Sequence, residues 1–155
     1  MAIRGTLEIG FTGSRSGMGT QRQELIPVYL RRYKTAVVHH GMCEGSDTEF
    51  HDLVRNNFEG ISIVGHPPTD KSAYVYRPCD HLWTDKPYLD RNRDIVNEAD
   101  IMFATPFENQ EKLRSGTWAT IRYAKKVIKE GKGNCWGLYI FRPDGGIEYW
   151  HEGNL

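Results

Sequence analysis

Cysteine is scarce in this chain. Three residues, Cys43, Cys79 and Cys135, occur among 155, the number is odd, and no CxxC pair is present. A disulfide-stapled mini-protein is excluded, and free thiols in a reducing, cytoplasmic setting are expected. Net charge is also missing, since 20 Lys+Arg balance 20 Asp+Glu. That balance excludes a strongly basic nucleic-acid-coating protein and an acidic disordered tail. No apolar run reaches the roughly 18 residues of a membrane span. The opening Met1-Ala2-Ile3-Arg4-Gly5 has no apolar signal segment behind it, so no membrane partner is expected. HExxH, GxSxG and a Ser/His/Asp signature are absent too, as are GxGxxG and the Walker A pattern.

What is present is an ordinary globular composition, with 39% AVILMFWYC and 26% charged residues. At 155 residues, one domain spanning 1–155 is expected, long enough to bury a core without staples. There are no internal repeats. Short β-like runs alternate with amphipathic helical runs. Thr6–Thr12 reads as a first strand ending in a Gly/Ser-rich loop. Thr20 and Gln23 have the spacing of a capping box. The helix that follows contains Pro27, which predicts a kink or a late helix start. Strands are expected over 35–40, 60–65, 100–106 and 135–141, with a sixth over 147–151. Helices are expected over 48–57, 89–99 and from a Ser115 cap to about Glu130. Residues 69–87 read as a long loop with a short strand at most, and Tyr74, Tyr76 and Trp83 in it are placed to cover a ligand.

Strand alternating with helix predicts an α/β, Rossmann-like three-layer sandwich around a mostly parallel sheet of five to six strands. Ligands of such sheets bind beyond the carboxyl ends of the strands. Those ends are rich in glycine and polar residues. Gly13-Ser14-Arg15-Ser16-Gly17 follows the first strand. Glycines let a backbone approach a phosphate, a helix start offers free N–H groups, and Arg15 adds a bidentate donor. The same composition also makes a plain strand-to-helix turn. Ser115-Gly116-Thr117 repeats the pattern at another helix start, where an ordinary N-cap is the alternative. Gly41, Gly45 and Asp47 follow the second strand. Asp47 either caps a helix or holds a ribose hydroxyl. Arg91 and Asn92 either face solvent or aim across the cleft.

The pairs His40/Cys43 and Cys79/His81 lack the paired spacing of a structural zinc site, so no metal and no cofactor are expected. Arg122, Lys125, Lys126, Lys129 and Lys132 form a basic stripe along one helix, a solvated face unless it meets nucleic acid.

In chain order these segments resemble the SMF/DprA–LOG superfamily, known as SLOG. Gly13-Ser14-Arg15 is similar to its opening motif. His40-Gly41-Met42-Cys43-Glu44-Gly45-Ser46-Asp47 is similar to its second-strand motif, a glycine-flanked GxD before a helix. Arg91-Asn92-Arg93-Asp94-Ile95 resembles its RN helix, and Ser115-Gly116-Thr117-Trp118-Ala119-Thr120 its SGT helix start. The resemblance covers residues 7 to about 140 and is strongest to a small bacterial and phage branch with HHG, HPP, RNR and RSGTWAT segments. It implies a Rossmann-like sheet that binds nucleotides or nucleotide-derived, ADP-ribose-like molecules, with a homodimer as one assembly. Trp118, Tyr123 and Val127, more apolar than one helix face needs, fit that assembly. Superfamily members include cytokinin-activating phosphoribohydrolases, a single-strand DNA-processing protein and ligand-sensing domains of bacterial defence. The hydrolase segment PGGxGTxxE matches 114–120, but Thr120 stands where the hydrolases carry Glu, and Asn92 where they carry Lys. A threonine cannot serve as general acid or base. Glu108 and Glu111 are the nearby carboxylates left for a phosphoribohydrolase. Binding of a small nucleotide-like ligand is therefore the leading expectation, N-glycosidic hydrolysis of a nucleoside monophosphate the alternative, and single-stranded DNA binding a third.

Overall fold

A computed structural model describes residues 6–155; Met1–Gly5, read above for a signal segment, lies outside them. The elements run β1 (Leu7–Gly13), α1 (Gly19–Arg32), β2 (Thr35–His40), α2 (Ser46–Asn57), β3 (Ser62–Gly65), β4 (His81–Leu82), α3 (Tyr88–Glu98), β5 (Ile101–Thr105), α4 (Gly116–Glu130), β6 (Gly137–Phe141) and β7 (Ile147–His151). One sheet holds them in the order β4-β3-β2-β1-β5-β6-β7. All neighbours are parallel except the β6–β7 hairpin. The sheet therefore has seven strands rather than the five to six expected. The addition is β4, two residues inside the 69–87 segment that pair with Val64 and Gly65 at the sheet edge. A run that short carries no periodicity to read.

Strand parity sorts the core into two layers, because successive side chains point to opposite faces. Leu7, Ile9, Phe11, Ile101, Phe103, Tyr139 and Phe141 face Ile26 and Leu30 of α1 and Phe50 and Val54 of α2. Met102, Ala104, Leu138 and Ile140 face Ile95 of α3 and Trp118, Ile121 and Ala124 of α4. Trp118 and Val127 are thus part of this core, and the Tyr123 hydroxyl donates to Asn97 Oδ1 at 2.8 Å. The apolar surplus on α4 is used within the chain, so it carries no argument for a dimer.

Three local expectations are corrected. Helix α1 runs through Pro27 and starts at Gly19, so of the kink or late start expected there the late start does not occur. Burial of Pro27 beside Ile26 and Leu30 offsets the one hydrogen bond it removes. The Thr20/Gln23 capping box does not form: the N-cap is Met18, and the Gln23 amide donates to Glu49 instead. Helix α2 begins two residues early, at Ser46. Its N-cap Gly45 has φ +81°, and a Cβ there would lie 2.1 Å from the Arg15 carbonyl oxygen. Only glycine fits both demands. Helix α4 is bounded as expected, by Ser115 at its start and Gly131 at φ 64° at its end. Among the described residues, no helix is long and apolar enough to cross a membrane.

Candidate functional site

The chain leaves β1 for β2 on one side and returns to β5 on the other, so the loops at the carboxyl ends of β1 and β5 diverge. A cleft of about 510 Å³ opens there. Its walls are the β1–α1 loop, the β2–α2 loop, the first turns of α3 and the β5–α4 connection. Of the residues singled out by sequence, Gly13, Ser14, Arg15, Gly41, Asp47, Arg91, Asn92, Glu108, Ser115, Gly116 and Thr117 line it. Gly45 and Glu111 do not. Gly45 packs beneath the Arg15 carbonyl, and Glu111 turns outward to Arg122 Nη1 at 2.7 Å.

The first loop spends most of its hydrogen-bonding groups on itself. The Ser14 carbonyl accepts from Ser46 N–H at 2.9 Å and Gly17 N–H at 3.2 Å, while Ser14 N–H donates to Thr105 O at 3.0 Å. Ser14 Oγ accepts from Ser16 N–H at 3.0 Å. At the start of α1, the Glu49 carboxylate accepts the Met18 N–H at 2.7 Å. A carboxylate of the chain itself thus occupies the positive end of that helix. Helix α4 is different. Ser115 Oγ accepts from Trp118 N–H at 3.1 Å, and the N–H groups of Gly116 and Thr117 have no acceptor among the described residues. A Cβ on Gly116 would meet nothing within 4 Å, so the helix start is open at that residue.

Arg91 is buried and ties two strand ends together. Its Nη1 donates to the carbonyl oxygens of His66, at 3.0 Å, and of Gly41. Its Nε donates to Asn92 Oδ1 at 2.7 Å, and its Nη2 lies 3.9 Å from Cys43 Sγ. Beside it, Asp47 Oδ2 accepts from Cys43 N–H at 3.1 Å. Asp47 therefore holds the β2–α2 loop, and the N-cap of α2 is Gly45, whose carbonyl accepts from Thr48 Oγ1 at 2.8 Å. Burial pushes the Asp47 carboxyl up to about 6, against the opposing pull of Arg91, of backbone N–H groups and of Arg15. The Cys43 thiol is pushed up by burial and by Asp47, so it stays protonated.

Arg15 and Arg91 share one aromatic surface. Their guanidinium carbons lie 5.0 and 5.3 Å from the Tyr88 ring centroid. Among the described residues neither Arg15 nor Arg114 has a carboxylate partner within 4 Å. Glu108 accepts from Trp118 Nε1–H at 3.0 Å and lies 3.7 Å from Lys112 Nζ. Thr120 Oγ1 donates to the Gly116 carbonyl at 2.9 Å and lines a separate cavity of about 310 Å³ between α3 and α4.

The aromatic cover assigned to Tyr74, Tyr76 and Trp83 is not where the sequence placed it. The 69–87 segment is bound along the β2–β3 edge by Val75 N–H to Met42 O and Glu44 N–H to Ala73 O, both hydrogen bonds, and by β4. Trp83 packs on His66 at 4.7 Å, and none of the three lines the cleft. Tyr88, Phe107, Lys112 and Arg114 do, and sequence reasoning missed them. The basic stripe of α4 is partly engaged, Arg122 with Glu111 and Lys125 with the Trp150 ring at 4.3 Å.

The fold and cleft define a Rossmann-like α/β protein with a polar site at its topological switch point. Neither a known family model nor a curated protein sequence matches the chain. Among solved structures, the X-ray structure of TM1055, a Northeast Structural Genomics Consortium target, superposes with a TM-score of 0.54. The two are 16% identical, over 82% of this chain and 76% of that one. At that identity the likeness is one of fold.

Proposed function

We propose that this chain is a SLOG-type protein that binds a nucleotide or nucleotide-derived, ADP-ribose-like molecule in the strand-end cleft. The observation that carries the reading is that, around one cavity, the Gly116 and Thr117 N–H groups have no acceptor and Arg15 and Arg114 no carboxylate partner among the described residues. Free helix N-terminal donors and uncompensated guanidinium groups suit a phosphate. A volume near 510 Å³ suits a mononucleotide-sized molecule. The Tyr88 ring, already under two arginines, supplies an aromatic edge. Phosphate is better placed on α4 than on α1, whose positive end Glu49 already serves. Unpaired thiols fit a cytoplasmic setting.

Hydrolysis of a nucleoside monophosphate is the second reading, favoured by one observation: Glu108 lines the cleft beside the α4 N-terminus. A Glu108→Gln variant that released free base as fast as wild type would remove that reading.

Thermal shift against AMP, other nucleoside monophosphates, NAD, ADP-ribose and cyclic ADP-ribose tests binding directly. A ligand at about 100 times its Kd adds roughly 2.7 kcal/mol, a rise of about 5–10 °C for a chain this size. Arg15→Ala is expected to abolish the rise without lowering the melting temperature of the free protein by more than about 2 °C. A rise of equal size in Arg15→Ala, or none with any of these molecules, overturns the proposal.

A further inference from the structure

Behind the cleft, three side chains with ligand chemistry meet from separate parts of the chain. His40 closes β2, His51 lies on α2 and Cys79 precedes β4. One nitrogen of each histidine and the Cys79 sulfur all lie within 4.8 Å of one another. We infer that His40, His51 and Cys79 form a binding site for a transition-metal ion of borderline-soft character, Zn(II) or Cu(I), through two imidazole nitrogens and one thiolate. The inference is independent of the nucleotide reading.

The two histidine nitrogens need little adjustment, and the Cys79 sulfur lies within 4.8 Å of both. Zinc–nitrogen bonds of about 2.0–2.1 Å and zinc–sulfur bonds of about 2.3 Å put neighbouring tetrahedral donors about 3.3–3.6 Å apart. His40 Nε2 and His51 Nδ1 are 2.9 Å apart, so they open by a few tenths of an ångström. Both rings are buried, and burial lowers the basicity of each, so each is neutral as a ligand must be. The Cys79 thiol is held up to about 11 by burial, and a bound cation reverses that balance. Of the nearby arginines, Arg55 is paired with Asp80 and Arg77 with Asp52, each at 3.1 Å, while Arg91 donates to the carbonyl oxygens of Gly41 and His66. A second sulfur stands close by, since a Cβ on Gly65 would meet Met42 Sδ at 2.6 Å and Cys79 Sγ at 2.9 Å. A thioether suits Cu(I), whereas zinc would complete its shell with water.

The hydrogen bonds of His40 fix where its ring proton sits. Met42 N–H donates to His40 Nδ1 at 3.1 Å, so the His40 ring proton resides on Nε2 and is donated to His51 Nδ1. A metal on Nε2 moves that proton to Nδ1, where it opposes the Met42 N–H. The Cys79 thiol proton leaves to solvent, so one proton is released per ion bound. Metal entry therefore displaces the Met42 amide, in a residue that already holds a left-handed φ of 57°.

The test uses the full, untagged chain after chelator treatment. Co(II) titration is expected to give a thiolate-to-cobalt charge-transfer band at one ion per chain. Cys79→Ser should abolish the band, His51→Gln should weaken Co(II) affinity at least tenfold, and Cys43→Ser should keep both. Stoichiometric displacement by Zn(II), or by Cu(I) under anaerobic chelator buffering, identifies the ion. In the wild-type chain, where no variant can misfold, Zn(II) or Cu(I) should slow alkylation of Cys79 and shift the Met42 amide resonance. Absence of the band, its survival in Cys79→Ser, or alkylation unchanged by either ion overturns the site.

Discussion

Asp47 is a carboxylate that the fold holds against its preference for water. Unfolded, it titrates near 3.8; folded, near 6, because burial outweighs Arg91 and two backbone donors. As pH rises through that window the unfolded chain loses this proton first, so the Asp47 contribution to stability falls with rising pH. The loss is about 3 kcal/mol in total. Asp47→Asn keeps an acceptor for Cys43 N–H and has no charge to bury. The stability of the variant relative to wild type is therefore expected to rise by about that amount between about pH 4 and about pH 7 in urea unfolding. A difference that stays flat removes the assigned cause. Asp47, Arg15, Arg91 and Ser115 were legible as residues because strand ends of parallel sheets collect binding groups. Tyr88 was not, since nothing in a single aromatic next to Pro87 announces that Arg15 will fold over it.

At the scale of elements, α1 depends on a residue from another helix. Glu49 accepts the Met18 N–H across 31 positions of sequence and also takes the Gln23 amide at 3.3 Å. Glu49→Ala is expected to cost about 1–2 kcal/mol, comparable to loss of an N-cap, and to accelerate hydrogen exchange at Met18 amide. Glu49→Gln keeps the acceptor and should recover part of the loss. Unchanged Met18 exchange in Glu49→Ala would show that the bond carries no load. Local signals sufficed for α4, where Ser115 and Gly131 bracket the helix with their own chemistry. They failed for α1, whose capping partner comes from α2, and for α2, whose early start follows from Gly45 passing under Arg15.

For the molecule as a whole, buried histidines set the response to acid. His66 is pushed down to about 3 by burial first, and then by His39, Arg91 and Lys86, while His40 and His51 shift in the same direction. A base whose folded value is depressed contributes stability that is complete above the unfolded value, 6.5 here, and is lost as pH falls through the window. His66 alone accounts for about 5 kcal/mol over that range, more than the opposing Asp47. Stability is therefore expected to rise with pH between about 3 and about 6.5, and His66→Gln to flatten that rise in urea unfolding at a series of pH values. A wild-type chain equally stable at pH 4 and pH 7 would contradict it. The chain Glu8–His39–His66, with contacts of 2.8 and 2.9 Å, joins β1, β2 and the residue just after β3.

Order and type of the elements other than β4 came from the sequence alone, because alternation of period 2 with period 3.6 is a local property of consecutive residues. So did the edge of the sheet that bears the cleft, since strand direction follows from parallel crossovers. Tertiary structure decided the rest. It placed β4 on an edge, turned Glu111 out and Glu108 in, and used Glu49 where an outside anion was expected. It also gathered His40, His51 and Cys79 from positions too far apart for any spacing rule. These outcomes depend on which side chains meet across the sheet, and distances of that kind are set by packing in three dimensions, not by separation along the chain.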